Sequence, residues 1–233
     1  MTDHTVKAFD DDINALRALI AEMGGLTEDA IDKAMKALAT GDVALANMVV
    51  AQDGRIDELD ANIEQLVVQT LALRAPLADD LREIVAVLKI SGLVERMADY
   101  AKNIAKRVET VSAPSRLEPL SLLPAMAQIA REMVKDALDA FAARDSQLAL
   151  QVIERDRAVD DFYNSIFRTM VTFMMENQKT ISESAHILFI AKNLERIGDH
   201  ATNIAEMVHY VATGAKPPER EKATKFETGR GGA

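Results

Sequence analysis

Eleven residues occur twice in this chain, and the repetition constrains the fold more than any other feature. Glu95-Arg96-Met97-Ala98-Asp99-Tyr100-Ala101-Lys102-Asn103-Ile104-Ala105 returns one hundred positions later as Glu195-Arg196-Ile197-Gly198-Asp199-His200-Ala201-Thr202-Asn203-Ile204-Ala205. The surrounding apolar residues have helical spacing. Glu95, Asp99 and Asn103 therefore fall on one helical face, one turn apart, as do Glu195, Asp199 and Asn203. The likeness continues upstream. Shifted by 103 positions, Leu45-Ala46 meets Leu148-Ala149, Asp53 meets Asp156, and Asp57 meets Asp160. The three-residue change in offset falls in a loop, where insertions are tolerated. Two copies of one helical unit are expected, each an antiparallel three-helix bundle.

Composition agrees with an all-α chain. Apolar residues make up 48%, aromatics only 4%, and Trp is absent. Ala, Leu, Ile, Val and Met thus supply the interior. The net charge of −10 argues against non-specific nucleic-acid binding and against a polybasic membrane anchor. With no cysteine there is neither a disulfide nor a thiolate metal site. Met1-Thr2-Asp3-His4 lacks a signal peptide's basic start, and no run of apolar residues is long enough to span a bilayer. A cytoplasmic location is expected, peripheral to the membrane through partners.

Six helices can be placed. The first covers about Phe9 to Ala39, with a kink or break expected at Gly24-Gly25 and Thr27 recapping the continuation. Gly41 and Asp42 suit a C-cap and the next N-cap. The second helix runs to about Leu73, where Ala75-Pro76 stops it. The third starts at Asp79-Asp80 and continues to about Val111. Pro114 and Pro119 mark a linker over 112–123. The fourth helix follows Pro124, and Asp145 caps a fifth that reaches Glu176. Thr180-Ile181-Ser182-Glu183 reads as a capping box for the sixth, which ends near Gly214. The bundles thus cover 5–111 and 124–214, and a charged tail over 215–233 is expected to be disordered.

Hairpin packing brings further acids to the motif. A turn near residue 76 sets Asp57 opposite Glu95 and Asp53 opposite Asp99. A turn near 178–179 sets Asp160 between Glu195 and Asp199, and Asp156 level with residue 201. Each unit then gathers four carboxylates and an amide: Asp53, Asp57, Glu95, Asp99 and Asn103, then Asp156, Asp160, Glu195, Asp199 and Asn203. Such oxygen-rich sets suit Mg²⁺, Mn²⁺, Ca²⁺ or iron better than copper. The alternative is a solvated face neutralised by Arg55, Arg96, Arg155 or Arg196. Glu183-Ser184-Ala185-His186 has the spacing used in di-iron bundles, but Glu83-Ile84-Val85-Ala86 lacks the second histidine. A carboxylate-bridged oxidase is therefore disfavoured, and no Gly-rich phosphate loop or Ser/His/Asp set is present. Met170, Met174 and Met175, with Phe167 and Phe173, read as core packing or a partner groove.

The doubled Glu-Arg-x-x-Asp motif with its Asn-Ile, Gly24-Gly25, and Met174-Met175-Glu176 before Thr180-Ile181 resemble the PhoU family of phosphate-uptake regulators. The resemblance covers about residues 5–214. It departs at Met97-Ala98, where the second copy has Ile197-Gly198. It implies tandem three-helix bundles and a non-enzymatic cytoplasmic adaptor that restrains the phosphate-starvation response. The implied partners are the ATPase subunit of a phosphate ABC transporter, a membrane sensor histidine kinase, and a second copy in a homodimer. It also implies divalent or ferric metal ions (Mg, Mn, Zn or Fe) at Glu95/Asp99 and Glu195/Asp199. A metal-free structural bundle is the bland alternative.

Overall fold

The computed structural model describes residues 2–111 and 121–218, with side chains from residue 9, and among the described residues every regular element is helical. The six α-helices are α1 (Thr2–Thr40), α2 (Val43–Arg74), α3 (Asp79–Ala105), α4 (Leu123–Ala143), α5 (Ser146–Glu176) and α6 (Ile181–Thr213). Most of the expected linker, residues 112–120, and most of the expected tail, residues 219–233, lie outside the described residues.

Both acidic N-caps form as the sequence requires. The Asp42 carboxylate accepts the Leu45 amide at 2.9 Å, and Asp145 accepts the amides of Gln147 and Leu148. The preceding residues, Gly41 and Arg144, both have left-handed backbone, with φ of 68° and 51°. Glycine does this without penalty; arginine does not, so something else must hold that corner. Ala75 also turns left-handed, which with Pro76 separates α2 from α3.

Three expectations fail at helix ends or interiors. Gly24-Gly25 does not break α1, which runs 39 residues without interruption. A Cβ on Gly24 would run into the Leu138 side chain of α4, whereas one on Gly25 would meet nothing. Gly24 therefore permits close helix packing, and Thr27 is simply buried within α1. The third helix stops at Ala105 instead of Val111. Its last turn tightens, with Arg107 bonding to Ile104 and Val108 to Ala105 in i→i+3 fashion. The capping box at Thr180 also fails: its hydroxyl donates backwards, to the carbonyls of Phe173 and Asn177, and a 3₁₀ turn over Gln178–Thr180 leads into α6.

Helices α1, α2 and α3 pack on one another, as do α4, α5 and α6; α3 then packs on α6 and α1 on α4. One continuous core results, with Leu16, Ile63, Ile90, Met97, Met126 and Ile197 fully buried. Each such side chain contributes about 1.5–3 kcal/mol through removal from water. Tyr100 stacks on His200, its counterpart in the repeat, while Arg107 meets His186. Rising numbers on α3 thus meet falling numbers on α6. The helices cross antiparallel about an approximate twofold axis beside Tyr100 and His200, one residue beyond Asp99 and Asp199.

Candidate metal centre

Of the acids expected to converge, Glu95, Asp99, Asp160 and Glu195 are half-buried, while Asp57 and Asp199 are exposed. Asp53 on α2 and Asp156 on α5, equivalent in the repeat, are the deepest members, 8% and 6% exposed. Glu95 has its pKa raised by burial and by the charges of Asp99, Asp57, Asp60 and Asp53, so these five carboxylates share one neighbourhood. Asp57 is raised in the same way, by burial first and Asp53 next. In the second unit, Asp199 keeps contact with solvent. The protein bulk around it and the charges of Glu195, Asp156 and Asp160 nevertheless push its pKa up to about 6. Burial and like charges held together both destabilise the ionised forms.

Second-unit register differs from the sequence estimate by about one turn. A Cβ on Gly198 would lie 3.6 Å from Asp156 Oδ1 and 3.3 Å from Val159 Cγ1, so Asp156 faces Gly198 and not residue 201. That register makes the two units equivalent, since Asp53 borders a small hollow with Ala98, the counterpart of Gly198. That hollow has a volume of about 10 Å³, no more than a single water requires.

Two lysines, not the four arginines considered from sequence, supply the nearest positive charge. Lys102 Nζ bridges Asp53, in a short contact, and Asp99 at 2.7 Å. Burial opposes the Lys102 ammonium, but the two carboxylates outweigh it and hold its pKa above the ordinary lysine value. Lys192 Nζ instead pairs with Glu195 at 2.5 Å. Its counterpart is Gly92, and the counterpart of Lys102 is the buried Thr202, so the units are alike in acids but not in cations. Arg55 goes to Glu22 and Glu58, and Arg155 to Asp136. Arg96 and Arg196 face the α3–α6 seam. Lys102 stands three residues after Asp99 and could have been read as its partner from spacing alone. Asn103 is half-buried and Asn203 exposed.

Among the described residues, no group of three or more His, Asp or Glu side chains is gathered tightly enough to hold a metal ion. Donor type does fit a hard cation, since the clusters offer carboxylate oxygens from two helices. In the first unit, however, the Lys102 ammonium already stands between Asp53 and Asp99. His186 belongs to neither cluster; its Nδ1 takes a hydrogen bond from Arg107 at 2.8 Å. Met170 is fully buried, while Met175 is 82% exposed, so the methionine run is only partly core.

The sequence also gave no warning of Glu83. Only 2% exposed, it accepts Arg17 Nε at 2.8 Å and also pairs closely with Arg144. That pairing rationalises the left-handed backbone of Arg144, whose guanidinium carries the α4–α5 corner to a carboxylate of the first unit.

Fold and site together define a tandem-repeat helical protein with a duplicated carboxylate cluster on each half and no deep pocket at either. The PhoU domain model matches residues 20–108 and again 123–208. The chain is 54% identical over 219 residues to a phosphate-specific transport system accessory protein PhoU homolog of Zymomonas mobilis, covering 94% of this chain and 92% of that one. It is 45% identical to the homolog of the same name from Caulobacter vibrioides, over 92% of this chain and 94% of that one. The crystal structure of PhoU from Pseudomonas aeruginosa superposes with a TM-score of 0.85 at 36% identity, covering 89% of this chain and all of that one. That of the phosphate transport system regulatory protein PhoU from Streptococcus pneumoniae gives 0.84 at 27%, covering 91% and 100%. The chain belongs to the PhoU family.

Proposed function

We propose that this chain is a non-catalytic accessory protein of a phosphate-specific transport system. In this reading it works in the cytoplasm as an adaptor between the transporter's ATPase subunit and a membrane sensor histidine kinase. It holds the starvation response off, and its genes' transcription low, while phosphate is plentiful. A homodimer is the proposed assembly. The observation that carries the reading is the doubled acidic motif on a doubled bundle, in a chain more than half identical to a named transport accessory protein. No described helix is long and apolar enough to cross a membrane, which fits attachment through partners.

The acidic clusters are proposed as cation sites that stabilise the hairpins or prepare an acidic face for docking. Asp53, Asp57, Glu95 and Asp99 would hold one cation, and Asp156, Asp160, Glu195 and Asp199 another; Asn103 and Asn203 would border them. A bound Mg²⁺, Mn²⁺, Zn²⁺ or iron ion would add positive charge to the two carboxylate groups. Lys102 must withdraw from Asp99 for the first site to fill, and Lys192 from Glu195 for the second.

Pull-down of the purified chain with the ATPase subunit and with the kinase's cytoplasmic portion, at high phosphate, tests the adaptor reading. Retention of at least one partner is expected; loss of both refutes it. Elemental analysis after chelator-free purification tests the cation sites separately, and a metal-free chain that takes up none on dialysis refutes them.

A further inference from the structure

We infer that the exposed seam between α3 and α6 is a docking surface for an acidic segment of a partner protein, received by Arg96, Arg107 and Arg196. The inference rests on the adaptor reading and adds the face and the chemistry.

Several arginines elsewhere in the fold close on carboxylates: Arg17 on Glu83, Arg74 on Asp12, Arg131 on Asp32 and Arg155 on Asp136. The three on the seam do not. Arg107 lies with its Cζ 3.4 Å from the centre of the Phe189 ring and donates to His186. Arg196 lies 5.6 Å from the centre of Tyr100. Tyr100 in turn stacks on His200 at 5.5 Å and 25°. Arg96, the repeat counterpart of Arg196, is felt by His200 as a neighbouring positive charge. None of the three has an ion-pair partner among the described residues.

Rings hold a guanidinium in place without neutralising it. These charges therefore remain available, aligned along one helix pair. The chain as a whole carries a net charge of −10. An acidic partner is thus repelled from other approaches and attracted here, which fixes orientation as well as encounter rate. Arginine and tyrosine, both present here, are among the residue types that dominate protein-interface energetics. A nucleic acid would meet three guanidinia and then the surrounding acids, so a protein segment with a few carboxylates is the better match.

The test is titration calorimetry of the full chain against the transporter ATPase subunit and against the kinase's cytoplasmic portion. Variants are Arg96→Glu/Arg196→Glu, Arg96→Lys/Arg196→Lys, and Arg55→Glu as a control on α2. Circular dichroism confirms that each keeps its helicity. Charge reversal should weaken binding by about ten-fold or more, the lysine pair less, and the control not at all. Wild-type affinity should also fall between about 50 and 300 mM salt as screening sets in. If neither partner binds the wild type, the adaptor reading falls and the seam with it. If a partner binds and the charge-reversed chain binds equally well, the seam assignment alone falls. If charge reversal instead dissociates a homodimer and leaves partner binding intact, the occupant is a second copy and the partner assignment is overturned.

Discussion

Lys102→Thr installs in the first unit the residue that the second unit already has, and its consequence can be worked from the geometry. The lysine ammonium bridges a carboxylate only 9% exposed, Asp53, and one 42% exposed, Asp99, while its own side chain is 21% exposed. Stranding a fully buried charge costs about 3–5 kcal/mol, and breaking an exposed pair about 0–1. Solvent screens the Asp99 half heavily, so Asp53 dominates. With water able to reach the lysine's side, a loss of about 2–3 kcal/mol follows. For a chain of this size that lowers the melting temperature by roughly 4–12 °C. Urea unfolding of wild type, Lys102→Thr, Asp53→Asn and the double variant closes a thermodynamic cycle. The double variant should recover part of the loss, giving a coupling of about 1 kcal/mol or more. Additive effects would refute the bridge. Millimolar Mg²⁺ or Mn²⁺ should also stabilise Lys102→Thr more than wild type, because the ammonium no longer competes; equal stabilisation would show that it never did.

Asp199 supplies a pH test. Its pKa rises from 3.8 to about 6 in the folded chain, so the folded state binds the proton more tightly than the unfolded state. Stability must then fall as pH climbs through this window, and the deficit is complete above pH 6. Asp199→Asn should melt higher than wild type at pH 7 without metal, with the gap closing toward pH 4; a pH-independent gap would contradict it. The adjacent glycines separate packing from propensity: Gly25→Ala should stabilise α1 by about 1 kcal/mol, while Gly24→Ala should gain less because its Cβ must displace the end of the Leu138 side chain, both by thermal melting. Glu83→Gln leaves two guanidinia facing a neutral amide and should cost about 3 kcal/mol by chemical denaturation, against under 1 for Glu58→Gln on the surface.

Local signals in the sequence were dependable where they act locally. Asp42 and Asp145 cap their helices because the capping oxygen reaches amides only two or three residues away. The internal repeat likewise identified the buried equivalents Asp53 and Asp156. Gly24-Gly25 was misleading because its meaning depends on Leu138, more than a hundred residues away. Similarly, the Thr180 hydroxyl turns back to Phe173, which no four-residue pattern can express. The counter-ions are not legible from the repeat itself. Lys102 and Lys192 occur at positions where the two copies differ, and they decide how each cluster is neutralised.

At about 1.5 Å per residue, α1 is a rod nearly 60 Å long. It belongs to the first bundle by its contacts with α2 and α3, yet its middle lies so close to α4 that a Cβ on Gly24 would have to displace the end of the Leu138 side chain. The halves thus share a structural beam, and duplication in sequence does not create two independently folding pieces. Heating should accordingly give one calorimetric peak for the whole chain, and a fragment beginning at α4 should expose the apolar strip around Leu138 and aggregate.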